Sequence, residues 1–166
     1  MKKVIVRKST IQGKGVYAVV PIQEGEVVLD IDDSHIVKDV NSLTKEQYEL
    51  HCDYLSNGLV VLMQEPEVYI NHSCDPNTYV KTINGVRKVF AMRGIEAGDE
   101  ITYDYTINGE NDGTFYCKCG AKNCRRIYNG NFFKLPKELQ LKYLPYLDDW
   151  FIQDHLLDIE ELKRVS

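Results

Sequence analysis

Short apolar runs separated by glycine-containing polar turns dominate the first 115 residues, and this pattern predicts many short strands and few helices. The clearest element is a hairpin, in which residues 78–83 and 86–92 flank the pair Asn84-Gly85. Asn-Gly favours a two-residue hairpin turn because both residues tolerate a positive φ. Further strands are predicted at residues 4–6, 16–20 and 101–105. Residues 59–63 fit either a buried strand or an apolar helical turn.

One turn pattern occurs twice. Residues 22–28 and 95–101 both read Ile-x-x-Gly-acid-x-apolar. Each copy predicts a tight turn, with Gly25 or Gly98 at the position that needs unusual backbone angles, followed by a strand. The repeat is too short to indicate a solenoid, so we interpret it as one turn used twice.

Helical patterns are few. Thr44-Lys45-Glu46-Gln47 fits a capping box that begins a short helix ending at about Cys52. Near the C-terminus, residues 136–144 and 145–157 have helical spacing, each with a proline near the first turn. We expect two or three helices there, packed on the β body as structural cover.

Composition and charge exclude several classes of protein. The 166 residues, 43% hydrophobic and 27% charged, predict one folded domain with a substantial core. A net charge of −5 argues against direct nucleic-acid binding, which needs a basic surface, and suits a positively charged peptide. No apolar run approaches the roughly 20 residues of a membrane helix, and the first residues do not resemble a secretory signal. The expected compartment is therefore the cytoplasm, with the nucleus or export to a host left open.

The cysteines indicate a metal site. Cys117, Cys119 and Cys124 lie within eight residues, and Gly120 allows the chain to fold back between them. Cysteines rarely form disulfides in a reducing compartment, and structural zinc prefers four ligands, commonly sulfur. A fourth ligand must come from elsewhere. The candidates are Cys74, Cys52 and a histidine.

Two further segments are rich in polar chemistry. Residues 71–77 combine an amide, an imidazole, a hydroxyl, a thiol and a carboxylate around Pro76. Alone, this segment also fits an ordinary turn with a satisfied buried histidine. Tyr103 and Tyr105 alternate with Asp104 and should share one face of a strand, an arrangement more typical of a core than of catalysis.

Four motifs follow one another along roughly residues 4–127. They are Gly13-Lys14-Gly15-Val16-Tyr17, Asn71-His72-Ser73-Cys74-Asp75-Pro76-Asn77, Gly98-Asp99-Glu100-Ile101-Thr102-Tyr103-Asp104-Tyr105 and Cys117-x-Cys119-x4-Cys124. In this order they resemble the SET-domain protein lysine methyltransferases, and the last resembles the family's post-SET zinc motif. The resemblance implies a mainly β fold with short helices, of the SET-domain β-clip type, with knot-like threading of the C-terminal part and helices after it. The implied units are a SET domain (residues 1–114), a post-SET segment (115–130) and a helical extension (131–166).

The resemblance also implies roles for individual residues. S-adenosylmethionine would bind along one group of residues, partly through their backbone groups, and its product would be S-adenosylhomocysteine. The binding residues would be Lys14, Gly15, Val16, Tyr17, Asn71, His72 and Tyr105. The zinc ligands would be Cys74, Cys117, Cys119 and Cys124. Tyr105 would stand at the site of methyl transfer. Tyr103 occupies the position that sets how many methyl groups are added, and a tyrosine there predicts mainly monomethylation.

The predicted function is methyl transfer from S-adenosylmethionine to the ε-amine of a lysine in a protein substrate. The alternative is a non-catalytic SET-like module that binds a peptide or partner and uses zinc only for structure. The predicted partner is a basic, lysine-containing protein or peptide, histone or other, without membrane contact. Residues 96–112 hold six acids and no lysine or arginine. They are interpreted either as an edge that attracts such a peptide or as an ordinary solvated edge.

Overall fold

The computed structural model describes residues 2–55 and 58–164. The terminal residues of the first and last predicted units, Met1, Val165 and Ser166, lie outside the described residues. The strands are β1 (Val4–Lys8), β2 (Lys14–Ala18), β3 (Val27–Asp30), β4 (Cys52–Tyr54), β5 (Val60–Leu62), β6 (Asn71–His72), β7 (Thr78–Ile83), β8 (Val86–Ala91), β9 (Glu100–Tyr103), β10 (Glu110–Tyr116) and β11 (Ile127–Asn131). The helices are α1 (Lys137–Tyr143), α2 (Asp149–Asp154) and α3 (Leu156–Arg164). The predicted mainly β fold with short helices is confirmed.

Strand β9 organises the main sheet. The strand order is β1-β2-β9-β7-β8-β3, and β6 also pairs with β9. β9 runs antiparallel to β2 but parallel to both β6 and β7. Strands β4 and β5 form a separate two-stranded antiparallel sheet, and so do β10 and β11. The knot-like threading expected of the C-terminal part stays a prediction.

The predicted hairpin is confirmed. β7 and β8 pair antiparallel with Ile83 opposite Val86, so Asn84 and Gly85 alone form the turn. Both turn residues have positive φ, 51° and 77°, as the Asn-Gly pair requires.

The repeated turn is also confirmed, and the two copies bond to each other. Ile22 and Ile95 exchange both backbone hydrogen bonds at 2.9 Å. Gly25 and Gly98 have positive φ in both copies. The acid that follows each glycine accepts a hydrogen bond from the backbone amide three residues earlier, Glu26 from Gln23 and Asp99 from Glu96. The same local chemistry therefore builds the same turn twice.

Several predicted bounds change. The strand predicted at residues 16–20 is β2, which runs from Lys14 to Ala18. The capping box is present, with the Thr44 amide donating to the Gln47 side chain at 2.9 Å, but the helix is a π-helical turn, Gln47–His51, and Cys52 begins β4. Residues 59–63 contain strand β5 rather than a helical turn. The strand predicted at residues 101–105 ends at Tyr103, since Tyr105 lies in the following turn.

The C-terminal segment forms three α-helices. α1 begins directly after Pro136. The predicted helix over residues 145–157 is wrong in its bounds: Pro145 lies in a 3₁₀ turn, and α2 and α3 divide the rest. The break arises because Leu147 and Asp148 are extended, and the Asp148 carboxylate bonds to β7.

The core has two parts. One lies within the β body and includes the fully buried Val16, Val89 and Ile101. The other joins the turn after β9 to the C-terminal helices through residues such as Phe132 and Phe151. Within the described residues, no helix has the length and apolar character needed to cross a membrane.

Candidate functional site

Parallel pairing of β6 with β9 brings two of the sequence motifs together. Asn71 lies opposite Thr102, and His72 lies opposite Tyr103. Two residues later the chain reaches Tyr105, whose backbone amide donates to His72 Nδ1 at 3.3 Å. Residues 31 to 33 positions apart in sequence thus form one continuous site at the end of β9.

The Asn71 side chain connects this site to the turn around Gly13 just before β2, which we call the glycine turn. Its side-chain amide donates to the carbonyl of Lys14 at 2.9 Å and to that of Gln12 at 3.3 Å. The same nitrogen lies 2.8 Å from Glu100 Oε1. The amide therefore holds the turn, β6 and β9 in one position.

Sequence reasoning missed the role of Glu100. Its carboxylate accepts hydrogen bonds from the hydroxyls of Ser9 (2.8 Å) and Tyr17 (2.9 Å), besides Asn71. A Cβ at Gly15 would lie 2.3 Å from Glu100 Oε1, so only glycine leaves room for the carboxylate. A signal was present: in the repeated turn, the position of Glu100 corresponds to the apolar Val27.

The remaining residues of the glycine motif face different surroundings. Val16 is fully buried in the β body, and the Tyr17 ring lies under the Arg7 guanidinium, 3.8 Å from its centroid. Lys14 is exposed, with Nζ 3.1 Å from the Tyr69 hydroxyl and 3.7 Å from Glu65. A surface groove beside Gly13 carries charges of both signs, from Arg7, Lys8, Lys14 and Glu65.

His72 is held inside the protein. Its side chain is buried, and its ring packs edge-on against Tyr105 and Tyr128 with centroids 5.3 and 5.1 Å away. Burial disfavours the imidazolium and lowers the pKa of His72 to about 4. The neutral ring, accepting the Tyr105 amide, fixes the backbone at the site.

Tyr103 and Tyr105 lie side by side but differ in their hydroxyls. Their ring centroids are 4.7 Å apart. The Tyr105 hydroxyl donates to the carbonyl of Ile70 at 2.6 Å. Within residues 2–55 and 58–164, the Tyr103 hydroxyl has no hydrogen-bond partner. Burial raises the pKa of both phenols, so both are neutral at physiological pH.

Both tyrosines line a cavity of about 370 Å³. Apolar side chains contribute to its wall, among them Ile70, Val80 and Val89. These residues belong to the apolar cluster against which Tyr103 packs, so the part of the cavity beside Tyr103 offers little solvation to an ammonium and lowers the pKa of an amine placed there. Carboxylates such as Asp53 and Glu110 line other parts of the wall.

Asp104, which lies between the two tyrosines in sequence, is fully buried. It accepts hydrogen bonds from both Nη atoms of Arg125, at 2.6 and 2.9 Å, and from the Tyr143 hydroxyl at 3.1 Å. Burial raises the pKa of Asp104, but the bonds and charge of Arg125 outweigh it and hold that pKa below its usual value.

The prediction that the six acids of residues 96–112 form one edge is wrong. Asp104 is interior, and Glu100 binds the hydroxyl and amide groups described above. Two others are bonded to side chains of the C-terminal extension: Glu110 to His155 at 2.6 Å and Asp112 to Lys134 at 2.7 Å. The sequence run does not become a single surface because Asp104 is buried just after the end of β9 and the Glu100 carboxylate is bonded to Ser9, Tyr17 and Asn71.

The structure brings Cys74 together with Cys117, Cys119 and Cys124. Their four Sγ atoms all lie within 4.8 Å of one another, and Cys74 Sγ is 3.8 Å from Cys117 Sγ. Tetrahedral zinc with Zn–S bonds of about 2.3 Å requires sulfurs about 3.8 Å apart, so the donor set fits this metal. Cys52, the other candidate sulfur, is on β4 and outside the cluster.

Backbone groups prepare these sulfurs for a cation. The amides of Arg125 and Arg126 donate to the Sγ atoms of Cys74 and Cys124, both at 3.4 Å. Burial raises the pKa of the Cys119 thiol, but hydrogen bonds from backbone amides outweigh it and lower that pKa to about 7. Thiolates are the form that binds metal.

Comparison with known proteins places this site in a family. The model of the SET domain matches residues 13–106, which is more than half of the chain. The chain belongs to the SET-domain family.

The curated relatives carry histone-lysine methyltransferase names. The chain is 32% identical over 136 residues to the histone-lysine N-methyltransferase trithorax of Drosophila virilis, covering 75% of this chain and 4% of that protein. It is 31% identical over 139 residues to human histone-lysine N-methyltransferase 2D, covering 76% of this chain and 2% of that protein. The chain thus spans a small part of these relatives.

A solved structure shows the same fold. It is a Plasmodium falciparum protein named as a candidate histone methyltransferase, 27% identical, with a TM-score of 0.51. The match covers 63% of this chain and 94% of that chain.

Proposed function

We propose that this chain transfers a methyl group from S-adenosylmethionine to the ε-amine of a lysine in a protein substrate. The observation that carries this proposal is the joint placement of Asn71, His72 and Tyr105 at the end of β9, beside a cavity lined by two neutral tyrosines. The names of the relatives support the reaction class.

The residues around the glycine turn fit S-adenosylmethionine. Its amino-acid end carries one ammonium and one carboxylate, and the groove beside Gly13 offers Arg7, Lys14 and Glu65 as partners of both signs. When bound, this cofactor supplies an electrophilic methyl group on a sulfonium. Asn71 and Glu100 would keep the turn in the shape that receives it.

The cavity would bind the substrate lysine in its reactive form. The free side chain has a pKa near 10.4, so its neutral amine is scarce at physiological pH. The apolar part of the wall beside Tyr103 would disfavour the ammonium and lower that pKa, and the sulfonium of a bound cofactor would act in the same direction, so no strong base would be required.

Tyr105 would orient this amine. Its hydroxyl donates a hydrogen bond to the Ile70 carbonyl, so the lone pairs of the hydroxyl oxygen can accept a hydrogen bond or a C–H···O contact. Because burial raises its pKa, the phenol stays protonated and acts by position rather than as a general base.

We assign mainly monomethylation to this site. The Tyr103 hydroxyl occupies space beside Tyr105 and is free to hold a water where a methylated amine would have to turn. A second methyl transfer needs that space.

Zinc would be held by Cys74, Cys117, Cys119 and Cys124, in a structural role. Four thiolates leave no open position for substrate or water. The cluster joins the segment after β10 to the loop that follows His72.

The function is tested by incubating the protein with methyl-labelled S-adenosylmethionine and either purified core histones or a mixed protein extract. We expect label on lysine in acid-stable form, found by mass spectrometry of digested products. Binding of a peptide without any transfer of label would instead favour the non-catalytic module.

A further inference from the structure

The C-terminal extension closes one side of the cavity that holds Tyr103 and Tyr105. Trp150, in the first turn of α2, lies in the cavity wall, as does Asp148 just before that helix. Sequence pattern predicted these helices only as structural cover. Their position gives the extension a direct part in shaping the space beside the two tyrosines.

Trp150 is held at a fixed place relative to Tyr105. The buried Asp148 accepts hydrogen bonds from the Thr82 amide and hydroxyl at 2.8 and 2.7 Å. Its own amide donates to the side chain of Asn108, in the turn after Tyr105, at 2.7 Å. Two elements, β7 and the turn after β9, thus fix the chain two residues before Trp150 and place this residue beside the cavity.

Only part of the Trp150 indole packs in the protein core. Phe151 next to it is fully buried and fills the core, whereas Trp150 is partly exposed and meets Phe151 edge-on at 5.6 Å. Within the part of the chain that the structure describes, the Trp150 N–H has no hydrogen-bond partner. Trp150 therefore packs partly against the core and contributes the rest of its surface to the cavity wall.

The charges in the wall favour a cationic occupant. Carboxylates from β4 and β10, Asp53 and Glu110, line the same cavity. The guanidinium of Arg87 also lines it and pairs with two carboxylates, Asp33 at 2.6 Å and Asp53, so this group keeps one negative charge in excess. Glu110 is bonded to His155 at 2.6 Å. The face of an indole attracts cations, and more strongly when water is excluded.

We propose that Trp150 is a specificity-determining residue that stacks on a second cationic side chain of the substrate, that of an arginine or lysine flanking the methylated lysine. This inference rests on the proposed function, because it takes the cavity to hold the target lysine. The substrate class becomes a protein segment with two adjacent cationic residues rather than an isolated lysine.

Binding is tested by the fluorescence of Trp150, which is the protein's sole tryptophan. The zinc-loaded protein with S-adenosylhomocysteine is titrated with Gly-Ala-Arg-Lys-Ala-Gly and with Gly-Ala-Ala-Lys-Ala-Gly. We expect a saturable emission change with the arginine peptide at a concentration about tenfold lower than with the alanine peptide. Equal midpoints, or no change with the arginine peptide, would overturn the proposal.

Specificity is tested by the ratio of kcat/KM between the two peptides. We expect a ratio of about ten for the natural protein, a partly retained ratio in Trp150→Phe, and a ratio near one in Trp150→Ala. Leu157→Ala, at a position that is 81% exposed on α3, is the matched control and should keep the natural ratio. A role in packing alone would lower both peptides' kcat/KM equally in Trp150→Ala and leave their ratio unchanged, which would contradict the proposal.

The two hypotheses fail separately. If the arginine peptide changes the Trp150 emission as expected but no methyl group is transferred, the proposed function fails and cation recognition stands. If both peptides are methylated with equal kcat/KM, the function stands and the role of Trp150 is wrong.

Discussion

At the scale of single residues, the two tyrosines of the cavity show how neighbours with the same side chain take different roles. Tyr105 has its proton bonded to the Ile70 carbonyl, whereas the Tyr103 hydroxyl is left to the cavity. Burial raises the pKa of both. One hydroxyl is therefore suited to orient an amine, and the other to limit the space around it.

Tyr103→Phe should change the product rather than abolish the reaction. Removing the hydroxyl, and any water it holds, gives a methylated amine room to turn, so di- and trimethyl-lysine should appear in intact mass spectra of the peptide. Tyr116→Phe, at a position that is 82% exposed, should leave the product pattern unchanged. Trimethyl-lysine as the main product of the natural protein would contradict the assignment.

Glu100→Ala should weaken cofactor binding. The change leaves the Ser9 and Tyr17 hydroxyls and the Asn71 amide without their shared acceptor, at a cost of about 1–3 kcal/mol for each donor left buried. We expect the Kd for S-adenosylhomocysteine, measured by calorimetry, to rise by about tenfold or more.

Glu96→Ala provides the control, because this exposed acid lies in the same turn region and bonds there through its backbone amide and carbonyl, which alanine keeps. Its Kd should match that of the natural protein. An unchanged Kd in Glu100→Ala would show that the glycine turn keeps its shape without the carboxylate.

Sequence reasoning reached the residues that lie in short motifs and missed those whose role depends on distant contacts. Asn71, Tyr103 and Tyr105 lie within short contiguous sequence motifs. Glu100 meets Ser9 across 91 positions, and Arg125 meets Asp104 across 21. No local pattern of polar and apolar residues encodes such pairs.

At the scale of elements, the same distinction holds. The hairpin and the repeated turn were predictable because their chemistry is contained within a few residues. Strand β10 was not, because all seven of its residues are exposed and show no alternation. Its strand conformation comes from pairing with β11, which follows the cysteine-rich turn.

Loss of one cysteine should release the metal. We expect about one zinc per chain by plasma mass spectrometry, and a much lower content in Cys74→Ser, since three sulfurs leave tetrahedral zinc incompletely coordinated. Cys52→Ser is the matched control and should retain zinc. Zinc retained in Cys74→Ser but lost in Cys52→Ser would place the fourth ligand on β4.

Arg125 joins the cysteine segment to the turn after β9. Arg125→Met would leave the fully buried Asp104 without its cation and should lower the free energy of unfolding by about 3 kcal/mol. Urea unfolding measures this loss, with zinc content determined in parallel. Arg126→Met, at the exposed neighbouring position, should change the unfolding free energy by less than about 0.5 kcal/mol. Equal losses in the two variants would argue against a role for the buried pair.

At the scale of the whole molecule, β9 and the turn after it connect the parts of the protein. Glu100 binds the glycine turn, Asp104 bonds to Arg125 beside the cysteine cluster and to Tyr143 of α1, and Asn108 bonds to the chain before α2. One segment of nine residues therefore contacts the proposed cofactor turn, the arginine beside the cysteine cluster and the helical extension.

The proposed lysine methylation depends on Tyr105, which lies within this segment. The most direct measurement compares methyl incorporation into core-histone lysine by the natural protein, Tyr105→Phe and Tyr116→Phe, all loaded with zinc and shown to be folded. We expect the natural protein and Tyr116→Phe to have equal kcat, and Tyr105→Phe to lose about a hundredfold, because a misplaced amine reacts that much more slowly. Transfer by Tyr105→Phe at the full natural rate would contradict the account.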